Sequence, residues 1–310
     1  MDKNIFLEKL KNKDRVTLGK AFTLIESKKK EDNLFIRDIL KKDKSNHISW
    51  RIGVTGAPGV GKSSFINSFG SYCLKMGKSI AVLAIDPSSQ YSGGSILGDK
   101  TRMNDLISED LVFVRPVPSK NNLGGVSKST LESILLFELA EFDIIFVETV
   151  GTGQSEFDLS SMVDLFLFLV QPGLGDDLQG MKRGILESIN ALIVNKADLD
   201  IKAAQNTLEQ YEHSLSLLNS LENYYFGLHT QHSAQACQNF FHHCQNFFKN
   251  LVEIKEKRAH NLTFALNRLI ENIALEKFLQ VNKNEIDQIK KNVSESRVSI
   301  LDAMDTLSKL

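Results

Sequence analysis

Two hydrophobic periodicities divide the chain. Between Ile48 and Leu228, short runs of consecutive apolar residues alternate with stretches whose apolar positions recur every three or four residues. The short runs suit strands covered on both faces. They predict strands at Ile48–Thr55, Ile80–Ile85, Leu111–Val114, Ile144–Glu148, Leu165–Val170 and Leu192–Asn195. Helical spacing predicts helices between them, at Lys62–Met76, Ser129–Ala140 and Leu178–Ile189. This alternation specifies an α/β fold, a doubly wound and mostly parallel sheet.

Both flanks carry helical spacing only. Leu18, Ala21, Phe22 and Ile25 share one helical face, and Leu34, Ile36, Ile39 and Leu40 suggest a second, with a charged break at Lys28–Asp32 between. After Ala234 there is no proline. Stripes there fall at Leu262, Leu266, Leu269 and Ile273, then at Val298, Leu301, Met304 and Leu307. Such a tail must cover its stripes with its own globule or with a second subunit. The expected organisation is a helical segment at 1–45, an α/β domain at 46–232 and a helical arm at 233–310.

Composition narrows the function classes. With 310 residues, 42% of them hydrophobic, the chain can bury a large core. Its 37 basic and 38 acidic residues give no electrostatic case for nucleic acid. The first 45 residues hold 13 Lys/Arg against 8 Asp/Glu, which reads as a solvated helical face. The longest apolar run, Leu165–Val170, is too short to cross a bilayer, and the first residues lack the apolar core of a signal peptide. Three cysteines, Cys73, Cys237 and Cys244, suit a reducing compartment. The expectation is a soluble, cytoplasmic protein without a membrane partner.

The strongest motif is Gly56-Ala57-Pro58-Gly59-Val60-Gly61-Lys62-Ser63, followed by Ser64. It matches GxxxxGK[ST] between a predicted strand and a predicted helix. Its glycines let the backbone curl so that successive amides face phosphate oxygens, and the helix adds its positive dipole end. Lys62 would reach the β- and γ-phosphates and Ser63 would hold Mg²⁺. Two acidic residues, Asp86 and Glu148, end predicted strands on the rim where ligands sit in such sheets. Carboxylates there suit Mg²⁺, directly or through water. Three glycine-rich stretches share that rim: Ser92–Arg102 with Asp99 as a candidate for orienting water or metal, Gly151–Gln154, and Gln171–Asp177. They read as switch loops.

Asn195-Lys196-Ala197-Asp198 follows a further strand. Asp198 can accept from both N1–H and the 2-amino group of guanine, and adenine offers neither donor. Asn195 would tie this loop to the phosphate loop, and the Lys196 stem would cover the base. GTP is therefore the expected nucleotide.

Together these strings resemble the MeaB/ArgK family of GTPases, which includes the methylmalonic aciduria type A proteins. The match takes in the phosphate loop, Asp86-Pro87-Ser88-Ser89, Gly93 to Met103, Arg115-Pro116 with Leu123 to Val126, Glu148 to Gly151 with Gly153 to Glu156, Pro172-Gly173 and Gly175-Asp176 with Leu178 to Gly180, Lys182 to Gly184, Asn195 to Asp198 and, in the first helices, Ala21 to Glu26. The resemblance implies a P-loop NTPase of the SIMIBI class with Lys62, Asp99 and Glu148 as catalytic residues. It implies Mg²⁺ among Ser63, Asp86, Asp99 and Glu148, and GTP or GDP on residues 56–64 with Asn195, Lys196 and Asp198. It further implies a homodimer through the C-terminal arm. The implied role is that of chaperone to an adenosylcobalamin-dependent acyl-CoA mutase, typically methylmalonyl-CoA mutase, with GTP gating cofactor loading.

The chain departs from that pattern in three places. Asp177 stands where the family usually has Glu, and Leu199 replaces the Gly after Asp198. The second base-contacting loop corresponds either to Leu228-His229-Thr230 or to Ser233-Ala234-Gln235. Two other functions compete. An ATP-dependent kinase of transport systems would need an acceptor site, for which no motif stands out. A metallochaperone GTPase would use His229, His232, Cys237, His242, His243 and Cys244. Cys237, Phe240, Phe241, Cys244, Phe247 and Phe248 instead fall at helix-core spacing.

Overall fold

A computed structural model of the chain describes residues 2–27, 29–41, 47–86, 103–118, 128–149, 159–173, 188–217, 224–230, 233–295 and 297–307. Its centre is a seven-stranded parallel sheet: β1 (Trp50–Gly56), β2 (Ile80–Asp86), β3 (Val112–Pro118), β4 (Ile144–Glu148), β5 (Leu165–Val170), β6 (Ala191–Val194) and β7 (Tyr225–Leu228). Their order is β3-β2-β4-β1-β5-β6-β7. Every residue of β4, β5 and β6 is buried, as consecutive apolar runs require of strands covered on both faces.

The six predicted strands are present, with two differences. β3 runs on through Arg115, Pro116 and Pro118. Among the described residues it pairs only with β2, at the sheet edge, where a proline without an N–H is tolerated. The apolar run stopped at Val114, so the sequence pattern missed the extension. β7 was not predicted at all. It is a half-buried edge strand of four residues that includes Gly227, too short and too mixed to show a period.

Helices cover both faces. On one lie α1 (Lys3–Lys11), α2 (Arg15–Glu26), α3 (Lys30–Leu40) and α6 (Lys128–Leu139). On the other lie α4 (Lys62–Lys75), the short α5 (Asn104–Ile107) and α8 (Ala234–Phe247). α7 (Ile201–Ser216) completes the layer over β5 and β6. Strand alternation divides the cores: Leu165, Leu167 and Leu169 of β5 face the α4 side, while Phe166 faces α6. The predicted helix Leu178–Ile189 falls mostly outside the described residues.

α2 buries the predicted face, Leu18, Ala21, Phe22 and Ile25. Phe22 stacks on Phe113 of β3 at 5.8 Å, and Arg115 lies over the same ring while pairing with Glu26 at 2.7 Å. The α3 face needs correction. Ile36 and Ile39 are buried, but Leu34 is exposed and Phe35 packs partly in its place. The C-terminal stripe also differs: Leu301 and Met304 are exposed, and Ala303 is the buried residue of α11 (Ile300–Leu307).

The chain divides into two units, Met1–Leu262 and Thr263–Leu310. α8 and the first turns of α9 (Leu251–Val281) belong to the first, with Cys237, Phe240, Cys244 and Ile254 buried in the sheet's core. The second unit is helical, with α10 (Lys283–Ser294) and α11, and buries Ile286 and Ala303. Among the described residues, no helix is long and apolar enough to cross a membrane.

A buried charge cluster lies at the amino ends of the strands. Glu138 accepts from Arg51 Nη2 at 2.6 Å and Arg258 Nη1 at 2.9 Å, and Arg258 Nε donates to Asp164 at 2.8 Å. Removing one partner leaves buried guanidinium charge without its counter-ion, a cost of about 3–5 kcal/mol. Glu138→Ala is expected to lose stability on that scale, read from urea midpoints at constant slope.

Candidate functional site

The strand order places β1 between β4 and β5, so the loop after β1 opens at the middle of the carboxyl rim. That loop, Gly56 to Gly61, takes left-handed backbone at Gly56 (φ 144°), Gly59 (φ 81°) and Gly61 (φ 95°). A side chain is barred at two of these. A Cβ on Gly56 would lie 2.2 Å from the Leu169 carbonyl oxygen, and one on Gly61 would lie 2.6 Å from Asn195 Nδ2. α4 begins at Lys62, with its first amides facing the loop. Lys62 is 7% exposed, and its Nζ donates to Gly56 O at 2.7 Å and Ala57 O at 3.1 Å. The ammonium is thereby held inside the curl.

Two candidate metal ligands meet beside it. Ser63 Oγ donates to Glu148 Oε1 at 2.8 Å, although the two are 85 residues apart. Glu148 ends β4 and is 9% exposed. Behind it Thr149 Oγ1 donates to Thr55 Oγ1 at 3.1 Å, joining β4 to β1. The sequence reading did not single out that pair. Register sets Glu148 beside Ala84, so Asp86 ends β2 two positions further along the same rim. A hydroxyl and a carboxylate are hard oxygen donors of the kind Mg²⁺ selects, and Ser63 with Glu148 fits that ion. The Asp86 side chain, Asp99 with the rest of 87–102, and the switch stretches 151–154 and 174–177 lie outside the described residues.

The base-recognition candidates close over the phosphate loop. Asn195 Nδ2 donates to Val60 O at 2.8 Å, and Lys196 Nζ donates to Gly59 O at 2.7 Å and Gln171 Oε1 at 3.3 Å. Lys196 itself takes a left-handed φ of 57°, a conformation unusual for a side chain with Cβ. Asp198 is exposed at the turn before α7, and Asp200 caps that helix by accepting from Ala203 N. Gln171 belongs to the rim, and Gly173 beyond it also has a left-handed φ of 82°.

Of the two stretches left open for the second base loop, Leu228-His229-Thr230 lies against Asn195. Ala197 N donates to His229 O, and His229 N donates to Val194 O. Ser233 instead caps α8 through Ala236 N. His229 is 2% exposed, and burial depresses its pKa to about 4, opposed only by the nearby Asp198 charge. The unfolded histidine therefore binds its proton first as pH falls through 6.5. The stability its neutral form contributes is complete above that pH and is lost toward pH 4. Wild type is expected to lose about 2–3 kcal/mol between pH 7 and 4.5 that His229→Asn does not lose, read from paired denaturation curves.

The cysteines lie in the core: Cys237 is 4% exposed and Cys244 is fully buried. Burial pushes both thiols up, which disfavours the metal-binding thiolate. Separately, a cavity of about 480 Å³ lies beside Asn190 and Tyr224, at the amino ends of β6 and β7 and on the opposite rim from the phosphate loop.

A parallel doubly wound sheet with this loop after its central strand defines a P-loop NTPase fold. A family model described as methylmalonyl Co-A mutase-associated GTPase MeaB matches residues 18–284. The chain belongs to that family. A putative GTPase of Caulobacter vibrioides is 46% identical over 206 residues, covering 66% of this chain and 63% of that protein. GTPase ArgK of Escherichia coli is 46% identical over 197 residues, covering 63% and 59%. The mouse methylmalonic aciduria type A homolog is 42% identical over 216 residues, covering 66% and 52%. The alignments thus span roughly half to six tenths of these relatives' lengths. A solved structure of a LAO/AO transport system kinase superposes with a TM-score of 0.76 at 26% identity, covering 99% of this chain and 96% of that one.

Proposed function

We propose that the chain binds GTP with Mg²⁺, hydrolyses it, and uses the cycle to chaperone an adenosylcobalamin-dependent acyl-CoA mutase. The observation that carries the nucleotide reading is the clasp of Asn195 and Lys196 on Val60 and Gly59. It ties the Asp198 loop to the phosphate loop, as reading a base together with its triphosphate would require.

Ser63, Asp86, Asp99 and Glu148 would hold the magnesium, which when bound neutralises charge on the β- and γ-phosphate oxygens. The loop amides and the α4 amino end bind the phosphates, and Lys62 stabilises charge that develops as water attacks the γ-phosphorus in line. Glu148, braced by Ser63, orients the attacking side of the site. The stretch 171–182 would report the γ-phosphate to the mutase. Family membership supports the partner, since the matching description names a methylmalonyl Co-A mutase-associated GTPase. A homodimer through the second unit is supported by the exposed Leu266, Ile270, Leu275 and Val281 of α9. A cytoplasmic setting accords with three unpaired, buried cysteines.

Calorimetry with GTP and ATP tests the base. GTP is expected to bind about a hundredfold tighter or better, because ATP leaves a desolvated carboxylate unpaired. Equal affinities overturn the reading. Turnover measured with and without a methylmalonyl-CoA mutase tests the partner, and an unchanged rate with no co-elution rejects it.

A further inference from the structure

Asn195 is 4% exposed, so both ends of its amide need partners within the protein. Nδ2 faces the Val60 and Gly61 carbonyl oxygens, at 2.8 and 3.4 Å, and can only donate to them. Oδ1 therefore faces His229 Nδ1 at 2.8 Å and can only accept. That fixes the tautomer: the Nδ1 atom carries the proton. Nε2 is then a bare acceptor, and Ser68 Oγ lies 3.1 Å from it. Ser68 belongs to α4, the helix that leaves the phosphate loop. The imidazole packs edge-to-face with Phe65 of the same helix, with ring centroids 5.0 Å apart.

The contacts form a closed circuit. α4 hands a hydrogen bond to His229 at the end of β7, His229 hands one to Asn195 at the end of β6, and Asn195 returns one to the loop that opens α4. No hydrophobic residue at 229 could complete it. Without a donor at Nδ1, the Asn195 oxygen would be buried unpaired, and turning the amide over would set that oxygen against the Val60 carbonyl.

We propose that His229 is a positioning residue for base recognition, holding the Asn195 amide in the one orientation that clasps the guanine loop to the phosphate loop. The inference rests on the guanine reading above. It assigns to the open second loop a function that is exerted through Asn195, without contact with the nucleotide.

Three variants of the full chain test it: His229→Leu, His229→Asn and His229→Gln. The Asn amide nitrogen can occupy the place of Nδ1 and restore the donor to Asn195. The Gln amide reaches only as far as Nε2 and Ser68. His229→Leu and His229→Gln are expected to weaken GTP binding about tenfold or more and to narrow the preference for GTP over ATP. kcat at saturating GTP should stay within about twofold, since only binding common to ground and transition states is lost. His229→Asn should recover most of the affinity. Melting temperatures are recorded for all three variants. Affinity that simply tracks melting temperature, with no advantage for His229→Asn, overturns the proposal, as does His229→Leu with wild-type affinity and preference. A wild type that does not prefer GTP overturns the guanine reading, and this inference falls with it.

Discussion

Lys62→Ala is expected to lower GTP hydrolysis by about a thousandfold or more, toward the uncatalysed limit. The ammonium is held inside the phosphate loop by Gly56 O and Ala57 O, at 2.7 and 3.1 Å. It is 7% exposed, so water screens it weakly and its charge acts at close to full strength on the phosphate oxygens. Removing one preorganised donor from such a site costs about 10²–10³ in rate, and here a formal charge is lost as well. Lys62→Arg is not expected to rescue turnover, because the planar guanidinium is wider than the curl and cannot act as a point charge. The fold should survive both changes, since the core of α4 rests on Phe65, Ile66 and Phe69. Single-turnover phosphate release, with circular dichroism as the control, measures the effect. A Lys62→Ala enzyme keeping a tenth of normal turnover would refute the scheme.

The second large effect concerns the base. Asp198→Asn is expected to weaken GTP by about a hundredfold and to turn the preference toward xanthosine triphosphate. A carboxylate accepts twice, matching the N1–H and 2-amino donors of guanine. A carboxamide accepts once and donates once, which matches N1–H and the 2-oxo group of xanthine. The side chain is exposed on its turn, so the exchange should leave the fold intact. Competition between the two nucleotides in calorimetry reads the switch directly. Unaltered GTP affinity would show that the base is held elsewhere.

Much of the fold was legible from local pattern. The apolar runs of β1, β2, β4, β5 and β6 and the helix after the phosphate loop are each carried by adjacent residues. The failures also have local causes. β7 is short, half-buried and interrupted by Gly227, and the extension of β3 runs through prolines that only an edge position accepts. Leu34, Leu301 and Met304 fit a helical stripe by spacing yet remain exposed, because spacing selects a face but does not say how wide the covering surface is. At the site, Lys62, Ser63, Asn195 and Lys196 could be picked out because their motifs are contiguous strings. The sequence offered His229 for the second base loop or for a metal, but not its place between Asn195 and Ser68, because those partners are 34 and 161 residues away.

The sequence by itself determined the α/β class, the phosphate loop and the family, because periodicity and short motifs are properties of neighbouring residues. Only the tertiary structure decided that β1 lies between β4 and β5, that Ser63 meets Glu148, and that Asn195, His229 and α4 close on one another. Parallel strands are joined by long crossovers, so which strand ends share a rim is settled by how the helices pack on each face, and no local pattern along the chain carries that order.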